Sequence, residues 1–146
     1  MIGSMAVRRG VALLVVATAL VTGGCTAAAP GASSGGPVPV EIAFRNHPPV
    51  QAVLKDVDAV IAKYGDKVSV SRHDVDVADS ETFMKDKDLT NTCVLAIYVR
   101  GSMTYPKDGS EVKFYSFPVG RGTAVTAAGN WTIDDLDSAL AQATTE

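Results

Sequence analysis

Cysteine is almost missing from this chain. Among 146 residues there are two, Cys25 and Cys93. The first directly follows an N-terminal leader, so the folded domain beyond it keeps a single thiol and has no pair for intramolecular exchange. Basic clusters are missing too. The whole sequence carries 13 basic and 16 acidic residues, and removing Arg8 and Arg9 with the leader leaves 11 against 16, a net charge of about −5. A mildly acidic globule has no electrostatic reason to bind nucleic acid. Past the leader, no stretch approaches the ~18 to 20 apolar residues that span a bilayer. No internal repeat is visible, and residues 26–39 carry no charge of either sign.

The leader itself is informative. Arg8 and Arg9 form a basic n-region without acids, residues 11–21 form an apolar core too short for a membrane helix, and small residues follow. Residues 1–24 therefore read as an export signal. The segment Val21-Thr22-Gly23-Gly24-Cys25 resembles the bacterial lipobox, in which small residues precede the cysteine that becomes the lipidated N-terminus. Gly23, Gly24 and Cys25 match; Thr22 stands where Leu or Val is usual. The resemblance implies lipidation of Cys25, a membrane partner through that anchor, and a place at the bacterial cell envelope on the outer face of the membrane. Cleavage near Ala29 by an ordinary signal peptidase and retention as an uncleaved anchor are the competing readings. Two or three acyl chains bury many methylenes at ~0.8 kcal/mol each, so such a tether is firm. Residues 25–38, rich in Ala, Gly, Ser and Pro, cannot bury a core and read as a flexible linker. The folded domain is expected over residues 39–146.

Within it, residues 92–100 (TCVLAIYVR) form the longest apolar run and suit a strand buried on both faces, expected at the centre of the fold. Residues 40–45 alternate around Val40, Ile42 and Phe44 and predict a strand. Asn46-His47-Pro48-Pro49 breaks it. Val50, Val53, Leu54, Val57, Val60, Ile61 and Tyr64 recur at helical spacing, and Gly65 stops the helix. Residues 67–76 predict another strand, with a bend or bulge where the alternation changes phase between Val70 and Val75. Asp79 or Ser80 can cap a short helix over 81–89 with Phe83 and Met84 inward. Asp108-Gly109 marks a turn, after which residues 112–117 return as a hairpin strand. Thr132 and Asp135 make a capping box for a last helix, with Trp131 stapled onto Leu136 and with Ile133, Leu136 and Leu140 facing the sheet.

The order β-α-β-α-β-β-α resembles the thioredoxin fold over nearly the whole domain. The resemblance rests on this order, on the turn at residues 44–50 ahead of the long helix, on the segment 93–101, and on the closing helix. It implies an α/β domain with a mixed four-stranded sheet and helices on both faces. It also places His47 and Val50 where relatives carry the two cysteines of Cys-x-x-Cys, and Cys93 where they carry a cis-proline. Without the nucleophilic and resolving thiols, dithiol exchange has no reagents.

Two functions follow as expectations. The first is a binding or accessory module that holds a protein or peptide partner, beside Pro48 and Pro49, on the backbone edge of the residue before Val94. The second is a single-thiol redox or soft-metal-handling site in which Cys93 lies near His47. Against the second, a lone cysteine opening a buried strand most often acts as a small hydrophobe, and two ligands are too few for stable zinc. No catalytic constellation, metal set or cofactor motif is legible. The acidic residues Asp74, Asp76, Asp79, Glu81, Asp86 and Asp88 lack calcium-loop spacing, and Gly120-Arg121-Gly122-Thr123 has no helix directly after it to make a phosphate loop.

Overall fold

The computed structural model describes residues 35–123 and 128–146. The expected signal segment, Cys25 and most of the linker lie outside them. Among the described residues, five strands and three helices follow in chain order: β1 (Val38–Phe44), α1 (Pro48–Ala62), β2 (Val68–Asp74), α2 (Glu81–Asp86), β3 (Leu95–Val99), β4 (Thr104–Lys107), β5 (Ser110–Lys113) and α3 (Ile133–Ala143). Single 3-10 turns precede β2 and α2.

The architecture is mixed α/β. One sheet has three strands in the order β2-β1-β3, and a second has β4 and β5 alone. β1 runs parallel to β2 and antiparallel to β3. The helical crossover between β1 and β2 accounts for the parallel pair. The middle of the sheet therefore belongs to β1, not to residues 92–100 as expected. β3 is nonetheless buried at all five positions. Its far side is covered by the chain after β5. Ile97 N–H donates to the Phe114 carbonyl, Ser116 N–H donates to the Leu95 carbonyl, and Ala96 bridges Tyr115. The strand expected over 112–117 is thus divided. Its first residues pair with β4, and the rest touches β3 by a bridge.

The turn prediction holds more tightly than its strands. Asp108 and Gly109, both at positive φ, are the two-residue loop between β4 and β5. Positive φ at both positions matches the right-handed twist of a hairpin, and glycine takes it without a Cβ penalty. The bulge expected in β2 is absent. Register runs unbroken from Val38 opposite Val68 to Phe44 opposite Asp74. The broken alternation has another cause: β2 is an outer strand with mostly exposed side chains, so neither face demands an apolar period.

α1 and α3 pack together on one face of the sheet. Val50, Val53, Leu54, Val57, Val60 and Ile61 line the buried stripe of α1, and each contributes roughly 1.5–3 kcal/mol of burial. They meet Val40, Ile42, Leu95 and Ile97 from the sheet and Leu136 and Leu140 from α3. Trp131 is fully buried in the same core, and its indole N–H donates to the Tyr115 carbonyl at 3.2 Å. Thr132 Oγ1 accepts from Asp135 N–H while Thr132 N–H donates to Asp135 Oδ2, the reciprocal cap predicted for α3. On the opposite face a smaller cluster of Ala43, Cys93, Ala96 and Tyr98 is covered by Phe83 of α2 and by Leu89. Helices thus lie on both faces.

Candidate functional site

The turn between β1 and α1 is fixed from two sides. Arg45 N–H donates to the Val94 carbonyl, tying it to the approach to β3, and His47 N–H donates to the Arg45 carbonyl. His47 is the extended N-cap of α1, and its ring caps no backbone donor. Pro48 and Pro49 are the first two helical residues. Their φ is preset for the helix, and at that end a missing N–H costs no intrahelical bond. Gln51 N–H closes the first turn on the His47 carbonyl, and its side-chain amide donates to Asn46 Oδ1. The Val50 N–H comes before that first bond and has no hydrogen-bond partner among the described residues.

Against this turn lies a cavity of about 440 Å³. Its floor is Pro48, Pro49, Val50, Val94 and Phe117; its polar wall is Arg45, His47 and Thr123. The size suits one small ligand or a short piece of peptide. Of its described lining residues, Arg45 and His47 are ionisable, and none is a carboxylate. Two other cavities are different: one includes Asp66 and Glu146, the other Asp56.

Arg45 holds the pocket's edge. Its Nη2 donates to the Asn91 carbonyl, and its Nε lies 3.4 Å from Asp76 Oδ1 without making a hydrogen bond. Nη1 has no hydrogen-bond partner among the described residues. One end of the guanidinium is thus anchored while other donors remain unused.

Cys93 is elsewhere. It is fully buried, and it belongs to the cluster under α2, whereas the next residue, Val94, lines the pocket. His47 is exposed at the pocket on the α1 side. The two residues singled out together in the sequence therefore take separate surroundings. Burial pushes the Cys93 thiol up to about 11, and the nearby Arg45 charge pulls it down by less. Such a group is a neutral thiol near pH 7 rather than a thiolate. The Thr92–Cys93 bond is trans. The expected free edge before Val94 is also partly spent, because Cys93 N–H donates to the Thr90 carbonyl.

The surroundings of Cys93 are aromatic. His73 stacks on Phe83 with centroids 3.7 Å apart, and Phe83 meets Tyr98 edge to face. Lys87 lies over the Tyr98 ring and pairs with Glu41. These contacts bury Cys93 under a helix rather than open it to a substrate. The described residues contain no group of three or more His, Cys, Asp or Glu placed to hold a metal ion.

Arg45, Val94 and Phe117 were not legible as site residues. Arg45 reads in the sequence as the polar end of a strand. Only the fold shows that the approach to β3 and the chain after β5 close around it. None of the described helices is long and apolar enough to cross a membrane. No protein-family model, curated protein or solved structure matches the chain.

Proposed function

We propose that this chain is a cell-envelope lipoprotein whose thioredoxin-like domain has lost its dithiol and serves as a binding or accessory module. Lipidated Cys25 tethers it to the outer face of the membrane, and the domain holds an extended protein or peptide segment in the pocket at the start of α1. The observation that carries this reading is the pocket itself. An apolar floor and open polar wall occupy the turn where dithiol relatives keep their reactive pair, and the chain's one mature thiol faces the other way. The β2-β1-β3 order supports the fold, as do helices on both faces and the contact of Phe114–Ser116 with the free side of β3. There the thioredoxin arrangement would set its fourth strand.

The second reading, a single-thiol redox or soft-metal site at Cys93 with His47, draws support only from the Arg45 charge, which favours thiolate but is outweighed by burial. Two measurements separate the readings. Titration of the isotope-labelled full chain with an extended apolar peptide should move the backbone amides of Arg45, Val50 and Val94, and Cys93→Ser should leave that response intact. Shifts scattered over the surface, or their loss in Cys93→Ser, would sink the binding reading. Labelling with an alkyne analogue of palmitate should mark the wild-type chain in cells and not Cys25→Ser; equal labelling would remove the anchor.

A further inference from the structure

We propose that the pocket at the start of α1 recognises the free C-terminal carboxylate of a peptide whose last side chain is apolar. This rests on the binding reading above and specifies its ligand.

Charge is the first argument. The domain as a whole is acidic, yet the described wall of this cavity carries Arg45 and His47 and no Asp or Glu. A neutral apolar segment would gain nothing from that exception; an anion would.

Unspent donors are the second. Arg45 keeps Nη1 without a hydrogen-bond partner among the described residues, while its bond to the Asn91 carbonyl and its buried Nε beside Asp76 hold the guanidinium in place. An anchored guanidinium loses little freedom on meeting a carboxylate, with which it forms charge-assisted bonds. The partner it now has, Asp76 at 3.4 Å, is half exposed and makes no hydrogen bond to Nε. The Val50 N–H, first donor of α1 after two prolines that have none, adds the positive end of a 15-residue helix on the same pocket.

Shape is the third. Pro48, Pro49, Val50, Val94 and Phe117 provide an apolar bed beside these donors, and about 440 Å³ is at the small end of ligand sites. One terminal residue, with its side chain on the bed and its carboxylate at Arg45, uses both halves. An internal peptide segment would leave the Arg45 donors facing a neutral backbone. A bare inorganic anion would leave the bed unused.

The test uses two probes that differ by one group, acetyl-Ala-Leu-Leu with a free carboxylate and the same peptide as its C-terminal amide. Each is titrated into the isotope-labelled full chain, with the amides of Arg45, Val50 and Val94 read by NMR. The acid should bind about tenfold or more tightly than the amide, the worth of one good charge-assisted contact. Arg45→Met should bring the acid down to the level of the amide, and Arg45→Lys should keep part of the difference. If both peptides bind equally, the carboxylate proposal is wrong and the apolar groove survives. If neither perturbs these amides, both readings fall. If decanoate binds there as tightly as the peptide acid, the ligand is an acyl chain and the proposal is overturned. Should Arg45→Met fail to fold, the comparison of acid and amide on the wild-type chain decides alone.

Discussion

Lys107 Nζ lies 2.5 Å from Oδ1 of Asp135, whose other oxygen accepts the Thr132 N–H at the start of α3. One nearly buried carboxylate thus joins the β4–β5 hairpin to the capping box of the last helix. Burial pushes its pKa up, but the bonds from Lys107 and Thr132 outweigh burial and hold it below its ordinary value of 3.8. A lowered carboxyl stabilises the fold above that ordinary value, and the gain is lost as pH falls through the folded one. Asp135→Ala should cost roughly 1–3 kcal/mol, a cap plus a buried charge-assisted bond. Urea melts at pH 7 and pH 3 should show the wild type and the variant drawing together in acid.

On the alkaline side the direction reverses. Cys93 is raised from 9.0 to about 11, first by burial. A raised thiol keeps its full contribution below pH 9 and loses it as pH climbs toward 11, because the unfolded chain ionises first. That amounts to roughly 2–3 kcal/mol at about 1.4 kcal/mol per pKa unit. In a Cys25→Ser background, iodoacetamide at pH 8 should leave Cys93 untouched in the folded chain and alkylate it in urea. Rapid reaction in the native state would contradict the burial.

Tyr98 is 4% exposed, and its buried hydroxyl has no hydrogen-bond partner among the described residues. Removing an unsatisfied polar group from a core is near neutral or favourable. Tyr98→Phe should therefore leave the midpoint of chemical unfolding unchanged or raise it, by up to about 1 kcal/mol. A loss beyond that range would mean that the hydroxyl is bonded in solution.

Tyr64 works the other way. Its hydroxyl lies 2.6 Å from Asp137 Oδ1 and 2.7 Å from the Asp137 carbonyl, and Lys63 pairs with the same carboxylate. The end of α1 is latched to α3. Tyr64→Phe should cost about 1 kcal/mol, and a double-mutant cycle with Asp137→Ala should give a coupling energy clearly different from zero. Strict additivity would show the latch to be ornamental.

At Gly129 a Cβ would sit 2.3 Å from the Tyr115 carbonyl oxygen and 3.0 Å from Trp131 Cδ1. The first obstacle is backbone, which cannot swing aside as a flexible side chain does. Gly129→Ala should destabilise by roughly 1–3 kcal/mol, as overpacking does. Thermal melts monitored by Trp131 fluorescence would report it.

These elements divide by how they speak in sequence. α1 and α3 were legible because a one-sided burial demand writes a helical period, and the cap at Thr132 and Asp135 is local chemistry. The hairpin announced its turn but not its strands: Thr104–Lys107 and Ser110–Lys113 are mostly exposed, so no apolar alternation marks them. Burial on both faces of residues 95–99 was legible, but sheet order was not, since β3, though it flanks β1, is covered on its far side by the chain after β5 and so asks for the same apolar run as a central strand. At the site, His47, Pro48 and Pro49 were found from the breaker they form. Cys93 is buried, as its place at the start of an apolar run suggested, and it lies in the cluster under α2 while His47 lines the pocket. A single residue step sends Cys93 beneath α2 and Val94 to the pocket, and composition carries no record of that step.

The position of β1 between β2 and β3 also bears on how the chain is made. Its seven residues emerge from the ribosome before either flank exists, and the second flank is complete only when residue 99 has followed. Until then a run that ends buried at Val40, Ile42 and Ala43 has no lasting cover, so the nascent chain is most exposed to holding factors and to misassociation during that interval.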